Sequence, residues 1–198
     1  FMGQMDIIPN SFYSDALAFV LDCSEQFLIN DERYKEAEKI IKIDHHIFRE
    51  EFGDIDIVDD TYESCCGLIA NLALEENLVI NQKAATALYT GMVTDSGRFR
   101  YDATTSKTFT IAAKLLDSNV DITEIYNNLY NEELEMVLLR AKFTSKIQLT
   151  DKNVAYIMTT KEELEELNVD IFSVSRSMVN TMAGIKGIDI WVNFTEDQ

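Results

Sequence analysis

The chain has 198 residues, with 35 Asp plus Glu against 17 Lys plus Arg, a formal net charge of -18 and 46% hydrophobic residues. That apolar content excludes a disordered acidic tail, and the length suits one domain or two small ones. No run approaches the ~20 apolar residues of a membrane span, and the start lacks the basic and apolar parts of a signal segment, so a cytoplasmic address without a membrane partner is expected.

Residues 1–120 carry 21 acids and 10 bases and residues 121–198 carry 14 and 7, so neither part is basic. Affinity for long nucleic acid comes largely from Lys and Arg on phosphates, and no long-DNA binding is expected. A short or small anion gripped through bound metal suits this charge better. Cys23, Cys65 and Cys66 match neither a disulfide framework nor zinc spacing and read as reduced packing residues.

In chain order, Ala16 to Leu21 is a short apolar run stopping at Asp22, and Ile40 to Ile43 is a second stopping at Asp44. Both read as buried strands with a carboxylate at the carboxyl end. The polar stretch from Asn30 to Lys39 is helix-permissive, giving strand, helix, strand. Asp54 to Val58 alternates and reads as a third strand.

Cys65, Leu68, Ile69 and Leu72 lay an apolar stripe along a helix over 63–76. A second helix begins near Asn81, with Ala84, Leu88, Met92 and Asp95 on one face. A third begins at the N-cap Thr105 and turns Phe109, Ala112, Ala113 and Leu116 inward. Ile122 to Ser145 reads as a charged helical stretch. Val154 to Met158 and Ile188 to Phe194 read as strands, with helices over Lys161 to Leu167 and Val174 to Ala183 between them.

The two histidines of the chain are adjacent, in Asp44-His45-His46 directly after a strand. Ligands of open α/β sheets bind beyond the strand carboxyl ends, and Asp22 ends the neighbouring strand, so four metal-competent side chains are expected in one crevice. Asp95 adds a fifth: its helical face turns it inward, where a carboxylate needs a cation or strong hydrogen bonds. Carboxylates with imidazoles suit manganese, magnesium, iron or zinc. Singly, each residue has an ordinary reading as a cap, a turn or a surface ion pair. Their convergence is what points to chemistry.

The runs Ile41-Lys42-Ile43-Asp44-His45-His46 and Thr94-Asp95-Ser96-Gly97-Arg98-Phe99, with Asp22 upstream, together resemble the DHH phosphoesterases, and most closely their nanoRNase and pAp phosphatase group. The resemblance covers essentially the whole chain. It implies an α/β fold: a parallel-sheet DHH catalytic domain with flanking helices over residues 1–120, a helical connector over 121–150, and a smaller α/β DHH-associated domain over 151–198.

The resemblance also implies a hydrolase using two divalent metal ions, usually manganese, with magnesium as the other candidate. Asp22 is expected to bridge the metals, and His45 and Asp95 to complete the shell of one of them. His46 is expected beside the scissile phosphate, Asp44 as the residue orienting the histidine pair, and Arg98 on a substrate phosphate. Two such cations lower the pKa of a water and neutralise phosphoryl charge. The implied substrates are short oligonucleotides or 3'-phosphoadenosine 5'-phosphate, with a homodimer as the candidate assembly. The alternatives are a cyclic-dinucleotide phosphodiesterase and a non-catalytic nucleotide-binding module.

Two of the family's motifs have no counterpart in these 198 residues: an early His-x-x-Pro-Asp-x-Asp run and a late Gly-Gly-Gly-His segment. The expectation is a piece of a longer enzyme, binding metal weakly and hydrolysing poorly or not at all by itself.

Overall fold

The computed structural model describes residues 6–197; Phe1 and Gln198, the abrupt start and stop of the sequence, lie outside the described residues. The chain divides between Asn128 and Leu129 into two compact units.

The first unit is built on a parallel sheet of β1 (Leu17–Leu21), β2 (Lys39–Asp44) and β3 (Ile55–Val58), in that spatial order. Leu21 pairs with Ile43, and Asp44 with Val58. The carboxyl ends of all three strands therefore lie side by side. The crossover from β1 to β2 is not the expected helix. It contains short 3₁₀ turns at Gln26–Leu28 and Glu32–Glu36. The Asp31 side chain accepts from the Arg33 N–H and starts the second turn, and extended backbone at Ala37 ends it.

Three helices follow: α1 (Cys65–Glu75), α2 (Gln82–Asp95) and α3 (Ser106–Leu116), which pack on one another, with α1 also against β2. Their starts follow from side-chain caps: Ser64 accepts from the Gly67 N–H, Asn81 from the Ala84 N–H, and Thr105 forms a capping box with Thr108. Each cap satisfies a first-turn donor that the helix itself leaves unpaired. Where α1 meets α2, a Cβ on Gly91 would lie 2.2 Å from Cys66 Sγ, so the missing side chain sets this close approach. Ala70, Ala85, Met92, Val93 and Leu115 are fully buried.

The buried face of α3 is Thr108, Ile111, Ala112 and Leu115, one residue ahead of the expected face. Phe109 is instead 55% exposed and its ring lies 5.5 Å from that of Phe99. The capping box is what sets the phase, since Thr108 must face Thr105 and the core behind it. On α2 the displacement runs the other way: Ala84 is exposed, and Ala85 and Tyr89, each one residue after the expected position, are buried.

The stretch expected as one charged connector is two helices, α4 (Ile122–Tyr130) and α5 (Leu134–Ser145), and the division between the units falls in the last turn of α4. The second unit contains β4 (Gln148–Leu149), β5 (Val154–Thr159) and β6 (Ile190–Thr195), with β4 antiparallel and β6 parallel to β5. Between β5 and β6 lie α6 (Lys161–Leu167), α7 (Ile171–Ser177) and a 3₁₀ turn at Val179–Met182. The short strand β4 has no periodic signal of its own. A core of Phe143, Ala155, Ile157, Val174, Met178 and Met182 holds this unit, with Trp191 packed against it.

Ile157 has no exposed surface. Replacing it with Ala is expected to cost about 2–5 kcal/mol through lost burial and a residual cavity. The check is urea unfolding followed by the fluorescence of Trp191, the one tryptophan of the chain; a midpoint unchanged from the parent would contradict this account of the core.

Candidate metal centre

The end of β1 is made by a residue that leaves the strand sharply. Asp22 adopts a left-handed backbone (φ 59), which Asp tolerates better than most residues, and its N–H still donates to the Ile43 carbonyl at 3.0 Å. The ladder between β1 and β2 thus extends to the carboxylate itself. Directly after Asp44, the last residue of β2, come His45 and His46.

His45 is the hub. Its Nε2 lies 3.4 Å from Asp22 Oδ1 and 3.0 Å from Asp95 Oδ2, while its Nδ1 lies 3.1 Å from the Tyr62 carbonyl. A carbonyl oxygen can only accept, so Nδ1 carries a proton and the Nε2 edge is the one presented to the carboxylates. The His45 side chain is only 14% exposed, against 56% for Asp22 and 47% for Asp95. The crevice is therefore open on its carboxylate side and closed behind the imidazole.

Asp95 reaches this point from the last residue of α2, and it is not turned into the interior as its helical face suggested. Its carboxyl is nevertheless held above the ordinary range, chiefly by partial burial, with the charge of His45 working the other way.

Asp44 is buried, with 1% of its side chain exposed. Its Oδ1 accepts from His46 Nδ1 at 2.7 Å and from the His46 N–H at 3.3 Å, and its Oδ2 has no hydrogen-bond partner among the described residues. It thereby fixes the ring of His46, whose Nδ1 also lies 3.7 Å from Asp22 Oδ1. Arg98 is exposed in the turn after α2, three residues beyond Asp95, in a left-handed conformation (φ 65) with its N–H donating to the Val93 carbonyl. Asp22, Asp44, His45 and His46 lie together at the strand ends, Asp95 approaches His45 from the last turn of α2, and Arg98 stands in the turn that follows.

Ligand atoms from Asp22, His45 and His46 fall within 4.8 Å of one another. Two carboxylates directed at one imidazole edge form a donor set of oxygen and nitrogen, without thiolate, that fits a divalent cation such as manganese or magnesium. The cysteines do not compete. All three are free; the Cys65 thiol donates to the Ile43 carbonyl at 3.3 Å, and burial pushes it up to about 12. A cavity of about 760 Å³ lies in the second unit against α6, walled by Leu164, Val169 and Ile171 together with Lys161 and the acids Glu165, Asp170, Glu196 and Asp197. Its lining includes no imidazole.

One supporting residue is missed by sequence reasoning. Lys42 lies fully buried in β2, donating from Nζ to the Glu50 carbonyl at 2.7 Å and the Ser24 carbonyl at 3.3 Å, with Nζ 4.6 Å from the centre of the Phe52 ring. It ties the loop after Asp22 to the loop after His46. The visible signal was a lysine interrupting an otherwise apolar strand, because a buried ammonium needs carbonyl or aromatic partners.

The hydrogen bond that His46 donates to Asp44 raises the His46 pKa above its ordinary 6.5, and partial burial opposes it. The stability this contributes is complete below pH 6.5 and is lost as the pH rises through the folded-state value. In metal-free protein, an NMR titration is expected to place His46 above 6.5, and Asp44→Asn to move it back down. A His46 pKa that ignores Asp44→Asn would contradict the pairing.

Residues 4–92 match the DHH family, N-terminal domain. The chain is 34% identical over 200 residues to the bifunctional oligoribonuclease and PAP phosphatase NrnA of Bacillus subtilis (strain 168), a match covering 100% of this chain and 64% of that protein. It is 31% identical over 195 residues to the probable bifunctional oligoribonuclease and PAP phosphatase NrnA of Streptococcus mutans serotype c, covering 98% of this chain and 63% of the relative. Among solved structures, an exopolyphosphatase-related protein from Bacteroides fragilis is similar with a TM-score of 0.80 and 26% identity, covering 89% of this chain and 54% of that one. The chain spans less than two thirds of the length of these relatives. No helix among the described residues is long and apolar enough to cross a membrane. The matched segment includes Asp22 and the Asp44-His45-His46 run and ends three residues before Asp95, so what is similar to the DHH family is the N-terminal domain of this chain over residues 4–92.

Proposed function

We infer that the crevice binds divalent metal, manganese or magnesium, and that the whole protein is a phosphoesterase acting on short oligonucleotides or on 3'-phosphoadenosine 5'-phosphate. The observation that carries this reading is the placement of His45 Nε2 within 3.4 Å of Asp22 and 3.0 Å of Asp95, at the carboxyl ends of two parallel strands. The relatives named as oligoribonucleases and PAP phosphatases support the substrate class.

In this reading Asp22, His45 and Asp95 hold the metal, with Asp22 placed to be shared between two ions. The metal supplies charge neutralisation at the phosphoryl oxygens and acidifies a water. His46, its Nδ1 fixed by Asp44 and its side chain half exposed, is the imidazole we assign to a phosphate oxygen, and the raised pKa favours its protonated form. Arg98, in the turn after α2, is the residue we assign to a second substrate phosphate, as a two-pronged donor.

The acidic balance supports short substrates. With a net charge of -18 and no basic half, the chain lacks the cations that hold long polynucleotides. A few charges at one end, drawn by bound metal, suffice for a dinucleotide or a small nucleotide.

The test uses protein of the relatives' full length with Mn²⁺, assayed side by side on a dinucleotide, 3'-phosphoadenosine 5'-phosphate and a cyclic dinucleotide. Turnover of the first two, lost on chelation, is expected. Asp95→Ala is expected to lower kcat by more than about 100-fold, beyond the range of residues that only support a ligand, with unchanged circular dichroism. Preference for the cyclic dinucleotide, or nucleotide binding without turnover, would overturn the assignment.

A further inference from the structure

The Tyr62 carbonyl that receives the His45 Nδ1 proton belongs to a segment pinned from behind. The next residue, Glu63, is buried at 4% exposure. Its Oε1 accepts from Ser64 Oγ at 3.0 Å and its Oε2 from Thr108 Oγ1 at 2.8 Å. Both hydroxyls have a second duty at a helix start: Ser64 Oγ accepts from the Gly67 N–H at 2.9 Å, and Thr108 Oγ1 from the Thr105 N–H at 3.1 Å. The carboxylate is therefore lodged between the first turns of α1 and α3, where unpaired amide donors favour negative charge. Gly67 makes the room, since a Cβ there would lie 2.2 Å from Glu63 Oε1.

Tyr62 is anchored to the same turn of α3. Its hydroxyl accepts from Lys107 Nζ, which also stands 4.3 Å from the centre of the Tyr62 ring. Two consecutive residues, Tyr62 and Glu63, are thus fastened to two consecutive residues of α3, Lys107 and Thr108. The backbone carbonyl they carry faces His45.

We propose that Glu63 is a positioning residue for His45: its buried carboxylate, clamped by Ser64 and Thr108, holds the Tyr62 carbonyl on His45 Nδ1–H and so aims Nε2 at Asp22 and Asp95. The carboxylate touches neither substrate nor metal; it acts through one carbonyl oxygen. An imidazole that ligates through one nitrogen needs its other nitrogen held in this way, because the opposite tautomer presents a proton where a lone pair is required. Glu63→Gln cannot substitute fully, since an amide has one acceptor oxygen for two hydroxyl donors.

This inference rests on the metal-centre reading for its consequence, and its test is independent of metal. In metal-free, ¹⁵N-histidine-labelled protein only two imidazoles contribute, and His46→Gln assigns them. The His45 Nδ1–H is expected as a solvent-protected resonance. Glu63→Gln is expected to accelerate its exchange by about tenfold or more, the loss of roughly one net hydrogen bond, with the far-UV circular dichroism unchanged. Thr108→Val is expected to do the same and Thr108→Ser to leave exchange near the parent value, and this pair carries the test should Glu63 variants not fold. Unchanged His45 exchange in Thr108→Val or in folded Glu63→Gln would overturn the proposal. A parallel Mn²⁺ titration of the parent chain separates the two ideas: failure to bind Mn²⁺ counts against the metal reading and leaves the positioning of His45 standing.

Discussion

The hydrogen bond from the Asp22 N–H to the Ile43 carbonyl, 3.0 Å long, is the constraint on which the crevice depends. It prolongs the parallel pairing of β1 and β2 by one residue, to the point where one chain turns away at a left-handed Asp and the other continues into Asp44-His45-His46. Parallel strands place equivalent ends on the same edge, so two segments distant in sequence deliver their polar residues to one place. A slip of one residue would move every side chain of β1 to the opposite face and carry Asp22 away from His45. The side-chain chemistry of the site is thus inherited from a backbone register.

Around that register the protein has arranged support in layers. Lys42 ties the loops after Asp22 and His46 together from within the sheet. Asp44 holds the ring of His46, and the Tyr62 carbonyl holds that of His45. What remains unbalanced is electrostatic: two carboxylates, both about half exposed, aim at one imidazole edge. Burial already pushes the Asp95 carboxyl upward, and a divalent cation resolves the conflict better than a proton does. The overall acidity of the chain has the same consequence at longer range, since phosphate is repelled unless cations are present in the crevice.

Much of this was legible in the sequence. Short apolar runs ending in Asp22 and Asp44 mark the strand ends, but only β2 is buried toward its end; in β1, expected as buried, Leu17, Phe19 and Leu21 are about half exposed and Val20 alone is buried. Asn81 and Thr105 marked helix starts because their side chains do the capping. The phase of α3 differs by one residue from what its apolar pattern predicts: Phe109 faces outward while the small polar Thr108 is turned inward to Glu63. Asp95 reaches the site by a route other than its helical face implies, since it stands exposed on the last turn of α2. The crossover between β1 and β2 has a helix-permissive composition, which does not distinguish an α-helix from the 3₁₀ turn of five residues that forms there. Lys42 and Glu63 went unnoticed as supports because their partners, at Ser24, Glu50, Ser64 and Thr108, follow no periodicity and include backbone carbonyls that no residue type announces.

The central claim is that these side chains form a metal centre, and location tests it more directly than activity does. Crystals grown with Mn²⁺, measured at the manganese absorption edge, are predicted to show an anomalous peak among Asp22, His45 and Asp95, within about 2.0–2.2 Å of the nearest oxygen and nitrogen atoms. The same peak should vanish in His45→Gln. No peak in the crevice at saturating Mn²⁺, or manganese bound only elsewhere, would contradict the account.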